Sequence, residues 1–201
     1  MKKLNIENPF FEFMNHLADL AMLNVIWLIT CLPIVTIGAA KTALYRITLR
    51  RARGESNYPV LEYLEAFKED FGKSTKIWLV LLISGGLLCF DLMYMGGSWS
   101  PLGILVGVLL CIWMILESYL FPLTAQFENS LKNTWENAGY MAVKHFPYTI
   151  VIVILNGIPL FCFLAGGAIL KITLPIYLVI GFSLTAGINT RMFRTIFERY
   201  M

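Results

Sequence analysis

The sequence predicts an all-α fold: a polytopic membrane protein, one bundle of about five transmembrane helices with amphipathic helices in its cytoplasmic loops. Three observations predict it. Of the 201 residues, 58% are hydrophobic and only 14% are charged, whereas a soluble domain carries about 25% charged residues. Mean hydropathy is +0.68, more apolar surface than a water-soluble fold can hide. Finally, the apolar residues fall into runs long enough to cross a hydrocarbon core of about 30 Å.

The first span is expected over 11–32, ended or kinked by Pro33, which has no N–H to donate and clashes with the preceding turn. The second is expected over 77–95 and the third over 102–127, with Pro122 inside it. The fourth, 149–170, and the fifth, 172–189, are separated by little more than Lys171, so they should form a tight hairpin. Between spans two and three a turn is expected at Gly96–Pro101. Counting Lys and Arg by compartment gives 13 on one side and 3 on the other. The positive-inside rule then puts the loops 39–73 and 128–146 and the carboxyl terminus in the cytoplasm and the amino terminus outside.

The first cytoplasmic loop reads as two amphipathic helices. Ala40, Ala43, Leu44 and Ile47 recur at helical spacing, with Arg46, Arg50 and Arg53 as a second stripe and Gly54 as a stop. Pro59 opens the next helix, with Leu61, Leu64, Phe67 and Phe71 on one face and Glu62, Glu65 and Glu69 on the other. The two charged stripes can pair with each other, or the arginines can rest on anionic lipid. In the second loop Leu131, Trp135, Ala138 and Ala142 mark a further helix closed by Pro147.

Charged residues inside spans are costly and need a protein partner or a wet cavity. Asp19, Asp91 and Glu117 are such residues, and two pairings are expected: Glu117 with Lys41, and Asp19 or Asp91 with Lys171. Structural pairing is the expected role of these carboxylates, with a proton or solute relay as the alternative. Asn24 and Asn156 are expected to bond between helices. Leu32-Pro-Ile-Val-Thr-Ile-Gly38 is the most distinctive local feature, because unwound backbone at membrane depth survives only when protein or a wet cavity covers it.

No catalytic or cofactor motif is present: no Walker loop, no dinucleotide glycine pattern, no Gly-x-Ser-x-Gly and no His-Glu-x-x-His. Cys31, Cys89, Cys111 and Cys162 each lie in an apolar run without Cys-x-x-Cys spacing, so they are read as small buried hydrophobes rather than metal ligands. No cleavable signal peptide is expected. The net charge of +3 is mild and points to no nucleic-acid partner. Gly103-x-x-x-Gly107 suits either close packing within the chain or a homo-oligomer.

The sequence also resembles the YesL family of bacterial membrane proteins. The likeness is carried by Asn8-Pro-Phe-Phe, Asp19-Leu, Asn24-Val-Ile-Trp27, Leu32-Pro-Ile-Val-Thr-Ile-Gly38-Ala-Ala and Ala43-Leu-Tyr45. It continues through Arg53-Gly-Glu55, Phe67-Lys-Glu-Asp-Phe71, Phe127-Glu-Asn129 and Asn137-Ala138. Members of that family are often encoded beside carbohydrate ABC importers, and the resemblance brings no catalytic residues. It implies a non-catalytic accessory or regulatory membrane subunit that docks ABC permease subunits through its cytoplasmic helices. The alternative expectation is a small solute transporter or channel with a pathway near Asp19, Glu117 and the Pro33 break.

Overall fold

The computed structural model describes residues 9–56, 58–94 and 100–200, with side chains from Met14 onward. Lys2, Lys3, Asn8 and most of the turn expected at Gly96–Pro101, including Gly96-Gly97, lie outside the described residues. All regular structure among the described residues is helical: α1 Pro9–Cys31, α2 Ile37–Ala52, α3 Pro59–Glu69, α4 Phe71–Tyr94 and α5 Pro101–Gln126. These are followed by α6 Leu131–Lys144, α7 Phe146–Ala165, α8 Gly167–Ile176 and α9 Phe182–Phe197. Five segments are long and apolar enough to cross a membrane: Met14–Cys31, Phe71–Tyr94, Pro101–Gln126, Phe146–Ala165 and Gly167–Phe197. These are the five runs read from hydropathy, and the fold is the expected all-α membrane-type bundle.

Local chemistry sets the helix limits. Ser100 and Ser130 cap α5 and α6, each hydroxyl accepting from the backbone N–H three residues on. The last hairpin turns at Gly166–Gly167, both at positive φ (59° and 55°), a backbone open to glycine at little cost. The turn therefore precedes the expected position, and Lys171 lies inside α8. From there the chain stays helical to Phe197 through a π-helical stretch, Tyr177–Gly181.

The main departure from expectation is α2. Instead of an amphipathic helix on the cytoplasmic surface, it is the most enclosed helix of the bundle. Ala39, Ala40, Ala43 and Ile47 are wholly buried, and α2 packs on α1, α3, α4, α5 and α9. Its small residues allow this: at Gly38 a Cβ would lie 2.6 Å from the Ser74 carbonyl oxygen and also overlap Trp78. Thr42 and Thr48 return their hydroxyl protons to backbone carbonyls four residues back, which hides their polarity.

α1 and α2 form an antiparallel hairpin, shown by Asp19 and His16 of α1 meeting Arg51 at the far end of α2. Its apex, Leu32–Thr36, lies against Trp78, from which α4 continues to Tyr94, about 24 Å at 1.5 Å per residue. The pair thus enters the bundle and returns without reaching the far ends of α4 and α5. Arg53 donates to Gln126 at the end of α5, and Arg194 of α9 donates to the Ala52 carbonyl. The carboxyl ends of α2, α5 and α9 and the amino-terminal half of α1 therefore share one end of the bundle, called here the basic end. This differs from the expected arrangement, in which α1 starts on the side opposite these ends.

Candidate functional site

The apex of the hairpin is helix-breaking sequence, and side chains from three helices bond to its backbone and to the Thr30 hydroxyl beside it. Proline at 33 ends α1, and a 3₁₀ turn, Ile34–Thr36, leads into α2. Trp78 donates its indole N–H to the Ile34 carbonyl at 2.7 Å. The Thr36 hydroxyl lies 2.6 Å from the Thr30 carbonyl and 2.7 Å from that of Pro33. From outside, the Tyr63 hydroxyl of α3 contacts the Thr30 hydroxyl at 2.7 Å. The side chains of Leu32, Ile34 and Val35 stay exposed, so the break is tied down by these hydrogen bonds rather than enclosed.

Beside the apex, α1, α2, α5, α7 and α9 enclose a cavity of about 220 Å³. Lys41 of α2 and Glu117 of α5 form an ion pair on its wall, as the sequence suggested. The Lys41 ammonium also lies 5.6 Å from the Phe121 ring centre and 5.9 Å from that of Trp78, an arrangement that further stabilises the cation. Next to the pair, Asn156 of α7 donates to Ser118 at 3.0 Å, and Asn189 of α9 donates to Asn156 at 2.8 Å and to the Tyr45 hydroxyl at 3.2 Å. Trp27 lines the same cavity with its indole N–H buried and without a hydrogen-bond partner. Leu44, Phe121, Leu160 and Phe182 make the rest of the wall mainly apolar.

Asn24 occupies a second polar junction. The π-helical stretch interrupts the regular ladder of the last span, and this one buried amide spans the interruption. Its Nδ2 donates to the carbonyls of Tyr177 and Leu178 at 3.0 and 2.8 Å, while its Oδ1 accepts from the N–H groups of Phe182 and Ser183, both at 3.0 Å. The side chain's hydrogen-bonding capacity is used in full.

The other site residues expected from sequence are scattered. Asp19 pairs with Arg51 at 2.8 Å, not with Lys171, because it lies toward the basic end whereas Lys171 sits just past the turn at the opposite end. Asp91 and Lys171 are exposed side chains with no ion pair among the described residues. Arg46 joins Glu69 and Asp70 at 2.6 and 2.5 Å, so the two charged stripes do meet there. Burial pushes the Asp70 carboxyl above its usual range and the Arg46 charge pulls it back. Arg53 pairs with Glu55, while Arg50 is half-buried. On α3 the buried face is Tyr63 and Ala66, with Phe67 packed beside them, which turns Leu61 and Leu64 outward and leaves Phe71 partly exposed.

Trp27, Tyr45, Arg51, Ser118 and Asn189 are the participants that sequence reasoning missed. Trp27 and Tyr45 stand in the strings that carry the YesL resemblance, which assigns them no role. The one available signal was the polar residue in each apolar run, and it was used only for Asn24 and Asn156.

Fold and site define the class: an all-helical, multi-pass membrane-type bundle with an α1–α2 hairpin packed against it and a paired-charge cavity. The family described as "Protein of unknown function, DUF624" has a model that matches residues 20–92. That stretch covers most of α1 and all of α2 and α3, and nearly all of α4, so it contains Lys41 and the apex but not Glu117. No curated protein and no solved structure matches the chain.

Proposed function

We propose that the chain is a non-catalytic accessory or regulatory subunit of the bacterial plasma membrane, working with a carbohydrate ABC importer. The observation that carries the first part is how its membrane-depth polar groups are used. Glu117, Lys41, Asn24, Asn156 and Ser118 are bonded within the protein, which is what a scaffold needs and what a solute path must leave open. The importer part rests on the resemblance to the YesL family. Docking falls to α3 and α6, whose outward faces carry Leu61, Leu64, Tyr140 and Val143.

On this reading the basic end faces the cytoplasm, and both ends of the α1–α2 hairpin lie there. Apart from Lys41 in the interior, Lys171 is then the one Lys or Arg among the described residues that belongs to the opposite side. That asymmetry supports the orientation more strongly than a fully crossing α1 does. A cysteine placed ahead of α1 should resist membrane-impermeant maleimide in intact cells, and labelling there would overturn the orientation.

A second reading, a small solute pathway past Glu117 and the Pro33 break, is favoured by the unpartnered Trp27 N–H in the cavity. Asp19 takes no part in it, since it lies outside that cavity. Pull-down of the tagged protein from native membranes in gentle detergent, read by mass spectrometry, separates the two. Stoichiometric recovery of a permease pair supports the accessory subunit. Recovery alone or only with itself rejects it and brings the pathway forward.

A further inference from the structure

A larger cavity, about 540 Å³, lies between α1, α2 and α9 near the basic end. Its polar wall includes His16, Arg51, Ser56 and Arg191, and its apolar wall includes Leu184 and Ile188. Arg51 is only half used: its Nη2 meets Asp19 at 2.8 Å and His16 at 3.1 Å, while Nη1 is buried without a partner, as is the Ser56 hydroxyl. Buried donors left unpaired are costly. Asp19 balances Arg51, and Arg191 forms no ion pair among the described residues, so the cavity keeps net positive charge. A guanidinium fork and a hydroxyl suit a phosphate, which offers several acceptor oxygens and negative charge.

We propose that this cavity holds the phosphate of one anionic phospholipid. A free phosphate would need only the cationic wall. Here Leu184 and Ile188, 42% and 39% exposed, carry the cavity wall out along the membrane-facing side of α9, where an acyl chain can lie against them. The inference is independent of the accessory-subunit reading, because it concerns the chain's own lipid contacts.

Native mass spectrometry of the full-length protein tests it, after release from nanodiscs of phosphatidylcholine and phosphatidylglycerol in equal amounts. One phosphatidylglycerol should survive activation that strips phosphatidylcholine. Arg191→Gln should cut its occupancy about fivefold, the weight of one charge near the headgroups, and Arg191→Lys should fall between. Lys132→Gln on the exposed side of α6 should change nothing. Equal retention of the two lipids, or phosphatidylglycerol retention unaltered in Arg191→Gln, overturns the proposal. Displacement of the adduct by millimolar glycerol phosphate also overturns it, assigning the site to a soluble phosphate.

Discussion

The two ends of the bundle share the long apolar helices α4, α5, α7 and α8–α9 and are packed in different ways. In α4 the buried residues run from Ser74 to Gly85, and in α5 all but Val106 fall between Ser118 and Thr124. α9 is studded with buried residues, whereas α8 has none. The far end is two helical hairpins whose outer residues, such as Phe90, Phe161 and Leu164, face outward. The basic end adds α1, α2, α3 and α6 to the same helices. Hydropathy can recognise a span, but it cannot distinguish a helix facing lipid from one facing protein. What distinguishes them here is polarity: Asn24, Thr42, Ser74, Ser118, Asn189 and Thr190 are all buried and belong to the packed end. Lipid tails give apolar side chains little reason to associate, so small residues and hydrogen bonds do the joining.

The sharpest way to break this comparison is a glycine at each end. Gly38→Leu drives a side chain into Trp78 and the Ser74 backbone, and overpacking of this kind costs about 1–3 kcal/mol or more. No monodisperse protein is expected in fluorescence-detected size-exclusion chromatography. Gly107→Leu, with nothing within 4 Å of its new Cβ, should elute as the parent does. A shifted oligomer peak in that variant would reveal that Gly107 contacts a second copy.

Next in size is the ion pair. Glu117→Leu leaves Lys41 unpaired at depth, and breaking a buried pair costs about 3–5 kcal/mol, a figure to be lowered here because Lys41 keeps some exposure. The double variant Lys41→Met/Glu117→Leu should recover most of the melting temperature in detergent. A double variant as unstable as the single one would mean that the pair is not the unit of stabilisation. Smaller again is Asn24→Leu, which removes four hydrogen bonds worth about 0.6 kcal/mol each in membrane proteins, or about 2 kcal/mol together. Denaturant titration in mixed micelles reads the loss.

The smallest effect is pH-dependent. His145, buried between α6 and α7, has its pKa lowered below 6.5, first by burial and then by Arg199 and Lys144. The unfolded chain therefore binds this proton more readily than the folded one. The contribution to stability is complete above pH 6.5 and shrinks as pH falls through 6.5 toward the folded pKa. His145→Gln should flatten that part of the stability profile, and an unchanged slope would assign it to other groups.

Much of this was legible in the sequence, and the misses have physical causes. The spans and α6 followed from apolar runs and helical spacing, and Glu117 found Lys41 because both stood alone in apolar surroundings. The arginines of α2 suggest a surface helix because they dominate its composition, although they gather toward one end while the small residues Gly38, Ala39, Ala40 and Ala43 are buried. That placement also sets the start of α1 at the end of the bundle opposite the carboxyl ends of α2 and α9, and leaves Asp19 expecting Lys171 rather than Arg51. Charge interrupting hydropathy suggests a turn at Lys171, but the chain reverses at the glycine pair, where φ is positive. Trp27 and the π-helical stretch gave no warning, since an unpaired indole and an interrupted ladder appear only once the helices are packed together.

The bonds from Asn24 join residue 24 to residues 177–183, a stretch the ribosome makes 153 or more residues later. Until synthesis reaches that stretch, the Asn24 amide has none of these four partners. A chain stopped after α7 would lack all four bonds and leave that buried amide without the partners it has in the complete bundle.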